Sequence, residues 1–327
     1  MEFYFLFFFV FLLAVNVGAN NAGACMATCF GSKTLTKRSS LLLVFIFFSI
    51  GSLLFGQEVI KTLSEGIVPK TLVKENNSLI FITLIIPMSA ILVANIIKIP
   101  IATTHAVVAS FIGIGIANNN IQKESVSLII TWWLITPVLM FIINFLIGKF
   151  VYYKIVKYLL ELSGHSIKKK KFDKILRIFL ILSACILALS AGANNSANAV
   201  APLVALEINS TFEAAIIAGI AMSFGSLFFG GRIIDSMAND ITDISILRAV
   251  SVQTTGGILL VIASVAGIPI SLAEIITSGI IGFSCSNLGW KKTFANSNIV
   301  KILKFWVAGP IICILLSYLI SLLMGNY

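Results

Sequence analysis

The sequence has few charged residues and almost no histidine. Charged side chains make up 11% of its 327 residues, and only two residues are histidines. A soluble domain carries about 25% charged residues, so this shortage excludes an ordinary soluble fold. Hydrophobic residues reach 58%, and the mean hydropathy is +1.04. The composition therefore predicts a multi-pass protein of the cell membrane.

The chain also lacks the side-chain sets on which catalysis and metal binding depend. No nucleophile motif is present, and no histidine joins the five scattered cysteines in a metal-binding pattern. We therefore expect no enzyme, no cofactor and no bound metal. The net charge of +10 would suggest nucleic acid for a soluble chain. In a membrane protein it is typical of cytoplasmic loops rich in lysine and arginine, so no nucleic-acid partner is expected. The cysteines are Cys25, Cys29, Cys185, Cys285 and Cys313.

A short polar motif occurs twice, each time inside a long apolar run. It reads Gly18-Ala19-Asn20-Asn21 in the first half and Gly192-Ala193-Asn194-Asn195 in the second. Carboxamides are costly in hydrocarbon unless they are hydrogen-bonded, and glycine weakens a helix. Such segments are tolerated at membrane depth where they line a cavity. We therefore predict a broken helix at each motif, as in carrier binding sites.

The likeness between the two halves extends beyond the motif. The shift of 174 residues that aligns the motifs also aligns 51–56 with 225–230. A shift of 169 aligns 99–101 with 268–270, and a shift of 173 aligns Trp133 with Trp306. Four landmarks in the same order indicate a duplicated unit. The predicted organisation is an N-terminal transmembrane repeat at 1–148, a basic cytoplasmic connector at 149–174 and a C-terminal repeat at 175–327.

Apolar runs of about 20 residues mark five predicted spans in each half. They lie near 3–30, 41–56, 79–97, 101–117 and 126–148, and near 175–205, 212–230, 247–266, 269–285 and 299–323. Because five is odd, the halves must have opposite orientations. The predicted fold is an all-α polytopic membrane protein built as an inverted repeat. With the connector inside, nineteen Lys and Arg residues lie on the inner side and four on the outer side, as the positive-inside rule requires.

The repeated segments resemble those of a known family. The sequence Gly-Ala-Asn-Asn-Ser-Ala-Asn-Ala at 192–199 looks like the duplicated signature of the inorganic phosphate transporter family. Residues 99–106 are similar to that family's Pro-Ile-Ser-Thr-Thr-His-Ala segment. The resemblance covers essentially the whole chain, and the short length is similar to the sulfate permease branch. It implies a secondary transporter that imports a tetrahedral oxyanion, phosphate or sulfate.

The candidate substrate-binding residues lie in the motifs and at two predicted helix starts. Pro100 and Pro269 favour helix starts at membrane depth, where free amide groups and the helix dipole attract an anion. The resemblance also implies that the substrate lies near two of the threonines. The alternative is that the hydroxyls only bond a carbonyl one turn back. The candidates are Thr103, Thr104, Ser271, Asn20, Asn194 and Asn198.

Coupling-ion candidates are Asn21, Asn195, His105 and Glu274. The resemblance implies sodium-binding aspartates where this chain has Asn21 and Asn195, so the negative charge of a sodium site is missing. His105 and Glu274 are equivalent under the 169-residue shift, and ionisable residues at membrane depth are functional candidates. We therefore expect proton-coupled symport. Sodium-coupled phosphate symport and an anion channel remain the alternatives.

Polar residues near the motifs have a simpler expected role, hydrogen bonding between helices. These residues are Asn16, Gln253, Thr254 and Thr255. The basic connector, with Lys168 to Lys171, is a candidate for contact with anionic membrane lipid. Whether the chain forms a homodimer is left open by the sequence.

Overall fold

A computed structural model of the chain describes residues 2–97, 102–161, 166–240 and 246–325. Every regular element in these ranges is a helix, and a π-helical turn at Ile147–Tyr152 joins α7 to α8. The helices are α1 (Glu2–Gly31), α2 (Lys37–Phe55), α3 (Gln57–Glu65), α4 (Lys70–Glu75), α5 (Ser78–Ile97), α6 (Thr103–Ala117), α7 (Lys123–Leu146), α8 (Tyr153–Glu161), α9 (Ser166–Asn195), α10 (Ala197–Ala205), α11 (Thr211–Asp240), α12 (Ile246–Val265), α13 (Leu272–Leu288), α14 (Trp290–Phe294) and α15 (Ser297–Gly325).

Seven helices in the described part of the chain are long and apolar enough to cross a membrane. The prediction of ten full spans needs correction at two positions, because the spans predicted near 101–117 and 269–285 fall on α6 and α13, apolar helices of 15 and 17 residues. Helix α5, with 20 residues, has the predicted length. At 1.5 Å per residue, the 15 residues of α6 extend about 22 Å, against a hydrocarbon core of about 30 Å. The protein is nevertheless a multi-pass membrane protein.

The first motif lies in the middle of α1, which continues without interruption from Glu2 to Gly31. The prediction of a broken helix at this motif was wrong. Gly18 instead allows a close approach to α11, since a Cβ added there would lie 2.7 Å from the Met222 Cα. Glycine inside a helix costs about 0.5–1 kcal/mol relative to alanine, which is too little to break a helix that packs well. At the second motif, α9 ends at Asn195 and α10 starts at Ala197.

The helix pairs α1 with α11 and α2 with α9 both make this close backbone contact. In each pair a glycine of one helix lies against the backbone of the other, and the 174-residue shift converts one pair of contacts into the other. Gly18 with Met222 becomes Gly192 with Phe48, and Gly225 with Val15 becomes Gly51 with Leu189. The two halves of the chain therefore pack on each other in matching ways.

Helices α2 and α11 run antiparallel and meet at two equivalent serines. Ser52 donates to the Ala215 carbonyl at one end of the pair, and Lys37 forms an ion pair with Asp235 at the other. Between them the hydroxyls of Ser49 and Ser223 lie 2.8 Å apart. These serines are separated by the 174 residues of the repeat, so each contacts its own counterpart.

The remaining helices surround this centre. Helix α12 packs on α9, α6 packs on α15, and α13 packs on α7. The short helix α3 lies on α10, and Lys74 of α4 forms an ion pair with Glu207, which follows α10. The hydrogen bond and the positive charge of Lys74 lower the pKa of the Glu207 carboxyl below its ordinary value. The segment at 57–75 is thereby attached to the end of the α9–α10 span.

Candidate functional site

The start of α6 meets the second motif through one hydroxyl group. Thr104 donates to Asn195 Oδ1 at 3.2 Å and accepts from Asn198 Nδ2 at 3.1 Å. Asn195 ends α9 and Asn198 lies in the first turn of α10. All three side chains are buried. The structure therefore brings a predicted hydroxyl of the first half together with two predicted carboxamides of the second half.

This Thr104 cluster, made of Thr104, Asn195 and Asn198, is not fully hydrogen-bonded. Asn195 Nδ2 and Asn198 Oδ1 are buried and have no hydrogen-bond partner among the described residues. A buried polar group without a partner costs about 1–3 kcal/mol, so a ligand that supplied the missing partners would bind favourably. The cluster offers such a ligand an amide donor and a carbonyl acceptor.

The two ionisable candidates contact each other. His105 Nδ1 lies 3.1 Å from Glu274 Oε1, and the two side chains are 4% and 3% exposed. Neither ring nitrogen of His105 has hydrogen-bond geometry to a described partner, so the contact with Glu274 is close but not an aligned hydrogen bond. Because these residues are equivalent under the 169-residue shift, they form a second contact between counterparts.

The turn before α13 is held by Asn194. Its Nδ2 donates to the Ile268 carbonyl at 3.0 Å and to Ser264 Oγ at 3.2 Å, and its Oδ1 accepts from the Ile270 amide at 3.1 Å. The amide hydrogens and the carbonyl oxygen of Asn194 are thus all engaged by the protein. The sequence predicted Asn194 as a substrate ligand. In the structure its side chain holds this turn in place.

Ser271 caps the helix that follows the turn. Its hydroxyl oxygen accepts from the Glu274 amide at 3.3 Å, which satisfies one of the free amides of the first turn of α13. The Ser271 hydroxyl hydrogen can still donate to a ligand. At the other predicted helix start, α6 begins at Thr103, and Ile99 and Pro100 lie outside the described residues.

The other predicted residues are less tightly connected to the cluster. Thr103 is buried at the first position of α6. Asn21 is buried on α1, and its Nδ2 has no hydrogen-bond partner in the described ranges. Asn20 is partly buried on the same helix. No described hydrogen bond joins Thr103 or Asn21 to Thr104.

The expected hydrogen bonds between helices are confirmed at two positions. Gln253 of α12 donates to the Cys25 carbonyl at 3.1 Å and to Thr28 Oγ1 at 2.7 Å, both on α1. Thr255 of the same helix accepts from Asn144 of α7 at 3.1 Å. These residues therefore contribute to helix packing.

Sequence reasoning missed one residue of the site. Trp133 served only as a landmark of the repeat, yet its indole ring stacks on His105 with ring centroids 3.7 Å apart. Its Nε1 donates to the Pro269 carbonyl at 3.0 Å. The available signal was that a buried indole N–H needs an acceptor, but the sequence does not show which acceptor it finds.

Comparisons with known proteins agree with this arrangement. Residues 17–317 match the model of the phosphate transporter family. The chain is 31% identical over 316 residues to the sulfate permease CysP of Bacillus subtilis (strain 168), a match that covers 95% of this chain and 85% of that protein. A solved structure of a sodium-dependent phosphate transporter superposes with a TM-score of 0.79 at 22% identity, covering 96% of this chain and 97% of the other. That structural likeness shows a shared fold.

Proposed function

The chain belongs to the phosphate transporter family, and we propose that it is a secondary active transporter that imports sulfate or phosphate together with protons. The observation that carries this proposal is the Thr104 cluster, a buried polar site in which one donor and one acceptor have no partner among the described residues. An oxyanion that has lost most of its water needs such donors. The cluster contains no carboxylate, so it does not repel a dianion in a low-dielectric interior.

The proposed architecture is an inverted repeat of 1–148 and 175–327, joined by the connector at 149–174. Two contacts between counterparts support it, Ser49 with Ser223 and His105 with Glu274. Equivalent residues touch where a two-fold axis passes between them, and an axis between antiparallel helices lies in the membrane plane. Carriers of this kind bind substrate near the midplane, where the two repeats meet. The position of the Thr104 cluster, next to His105, supports it as the substrate site.

The substrate is a tetrahedral oxyanion, and two members of this class fit the cluster. Sulfate only accepts hydrogen bonds, so it would use Asn195 Nδ2 and the hydroxyl groups of the site. Protonated phosphate also donates one hydrogen bond, which Asn198 Oδ1 could accept. The relatives' names point to both anions, a sulfate permease and a sodium-dependent phosphate transporter.

Proton coupling is proposed because the negative charge available to a coupling cation lies at Glu274. Moving a dianion inward against the membrane potential costs about 2.3 kcal/mol per charge per 100 mV, so co-transported cations are needed. Glu274 beside His105 can take up a proton at membrane depth. Sodium is the second candidate, since Thr104 Oγ1, Asn195 Oδ1 and Asn198 Oδ1 are neutral oxygens that a hard cation can use.

Competitive uptake into proteoliposomes tests the proposal. Labelled sulfate and phosphate are offered together, and proton and sodium gradients are imposed separately. We expect saturable uptake of one of the two anions and competition by the other. Uptake of neither anion, or downhill flux without accumulation as in a channel, would contradict the proposal.

A variant of the motif links the uptake to the site. Asn195→Leu should abolish transport without removing the protein from the membrane, because Thr104 loses its acceptor and the site loses its amide donor. Asn118→Leu is the matched control, since Asn118 ends α6 and bonds Ile114 and Ser321 instead. Normal uptake by Asn195→Leu would mean that the motif only packs helices.

A further inference from the structure

Trp133 links the two ionisable residues through contacts of two kinds. On α7 it stacks on the His105 ring, with 3.7 Å between ring centroids and 27° between the planes. The same indole donates from Nε1 to the Pro269 carbonyl at 3.0 Å. Pro269 belongs to the turn that leads into α13, two residues before Ser271 and five before Glu274. One side chain therefore contacts both the histidine and the segment that carries the carboxylate.

Three consecutive residues of that turn are held by side chains from other helices. Asn194 of α9 binds the Ile268 carbonyl and the Ile270 amide, and Trp133 of α7 binds the Pro269 carbonyl between them. The preceding Gly267 has a φ of +70°, a conformation that glycine adopts without strain. The Ile268 amide donates to the Ala263 carbonyl at 2.8 Å and so joins the start of the turn to the end of α12. The Pro269 carbonyl and the Ile270 amide that follow are held by the two side chains.

We propose that Trp133 is a positioning residue that keeps Glu274 against His105. The indole orients the histidine ring by stacking and places the start of α13 by its hydrogen bond to Pro269. Through these contacts the two members of the pair move as one unit when the two halves rearrange. This inference rests on the proposed function, because the pair is the proposed proton-coupling site.

The counterpart of Trp133 provides a matched control. Trp306 is equivalent to Trp133 under the 173-residue shift and lies on α15, which packs on α6 as α7 packs on α13. Its Nε1 is buried but has no hydrogen-bond partner among the described residues. Tryptophan to phenylalanine at these two positions is the same chemical change, and only the change at Trp133 removes a hydrogen bond to the turn.

The transport test compares Trp133→Phe with Trp306→Phe in proteoliposomes under an imposed proton gradient. The phenylalanine ring can still stack on His105, whereas the bond to Pro269 is lost. We expect the initial rate for Trp133→Phe to fall about fivefold, as for removal of one hydrogen bond, and its pH profile to shift. Trp306→Phe should keep the wild-type profile. Identical rates and profiles for the two variants would overturn the inference, whereas absence of uptake by the wild-type protein would overturn the proposed function.

Discussion

The close contact between α1 and α11 predicts how glycine-to-alanine changes in α11 affect stability. The sign of the effect depends on which glycine is changed. A Cβ added at Gly225 would overlap the backbone of α1, with the Val15 Cα only 2.6 Å away. A Cβ added at Gly231, six residues further along the same helix, would meet the Lys37 Cδ at 3.5 Å and the Leu41 Cδ1 at 3.7 Å. The first position has no room for a methyl group, and the second has ordinary van der Waals space.

The magnitudes follow from these distances. Ordinary contact begins near 3.4 Å, and the Val15 carbonyl oxygen lies even closer to the added Cβ than the Val15 Cα does. Gly225→Ala must therefore push two helix backbones apart, and overpacking of this kind costs about 1–3 kcal/mol or more. Gly231→Ala meets no obstacle, and alanine stabilises a helix interior by about 0.5–1 kcal/mol relative to glycine. Thermal unfolding of the purified protein in detergent should therefore show a lower melting midpoint for Gly225→Ala and an unchanged or higher one for Gly231→Ala.

The repeat supplies an internal check on the same reasoning. Gly51 is the counterpart of Gly225, and a Cβ there would lie 2.7 Å from the Leu189 carbonyl carbon. Gly51→Ala should therefore destabilise the protein about as much as Gly225→Ala. If Gly225→Ala melted at or above the wild-type temperature, the backbone contact between α1 and α11 would be refuted.

Two further predictions concern charge. Because Lys74 lowers the pKa of Glu207, their ion pair stabilises the fold when the carboxyl is ionised and is lost as pH falls through that lowered pKa. The melting midpoint of Lys74→Ala should thus lie below that of the exposed control Lys61→Ala at about pH 7. The two midpoints should converge as the pH falls through the lowered pKa of Glu207, and a pH-independent difference would contradict this. The second concerns topology: in a cysteine-free background, an impermeant thiol reagent applied outside cells should label Asn120→Cys but not Lys171→Cys. External labelling of Lys171→Cys would show that the predicted orientation is wrong.

The sequence located the polar residues of the site better than it described the helices that carry them. Asn195 and Thr104 stood out because polar side chains at membrane depth require a reason, and they lie together in the structure. The same motif in α1 did not break its helix. Glycine is compatible with both a break and a close helix contact, and only the position of α11 distinguishes them at Gly18.

Contacts with the backbone were beyond the reach of the sequence. Nothing in the motif reveals that Asn194 uses its carboxamide on the turn before α13 and on Ser264, whereas the amide of its neighbour Asn195 has no partner among the described residues. The sequence identified His105 and Glu274 as equivalent under the 169-residue shift, but only the structure shows that they touch. The sequence did not indicate the contact between Trp133 and His105, since stacking depends on the approach of α7 to α6.

The central claim is that an oxyanion enters with protons that bind at Glu274, and accumulation by Glu274→Gln tests it most directly. Proteoliposomes receive an inward proton gradient without sodium, and uptake of labelled anion is compared with exchange against unlabelled anion at equal pH. The wild-type protein should accumulate the anion. Glu274→Gln should lose accumulation but retain exchange, because the Thr104 cluster is unchanged. Full proton-driven accumulation by Glu274→Gln, or wild-type accumulation that follows a sodium gradient at constant pH, would contradict the account.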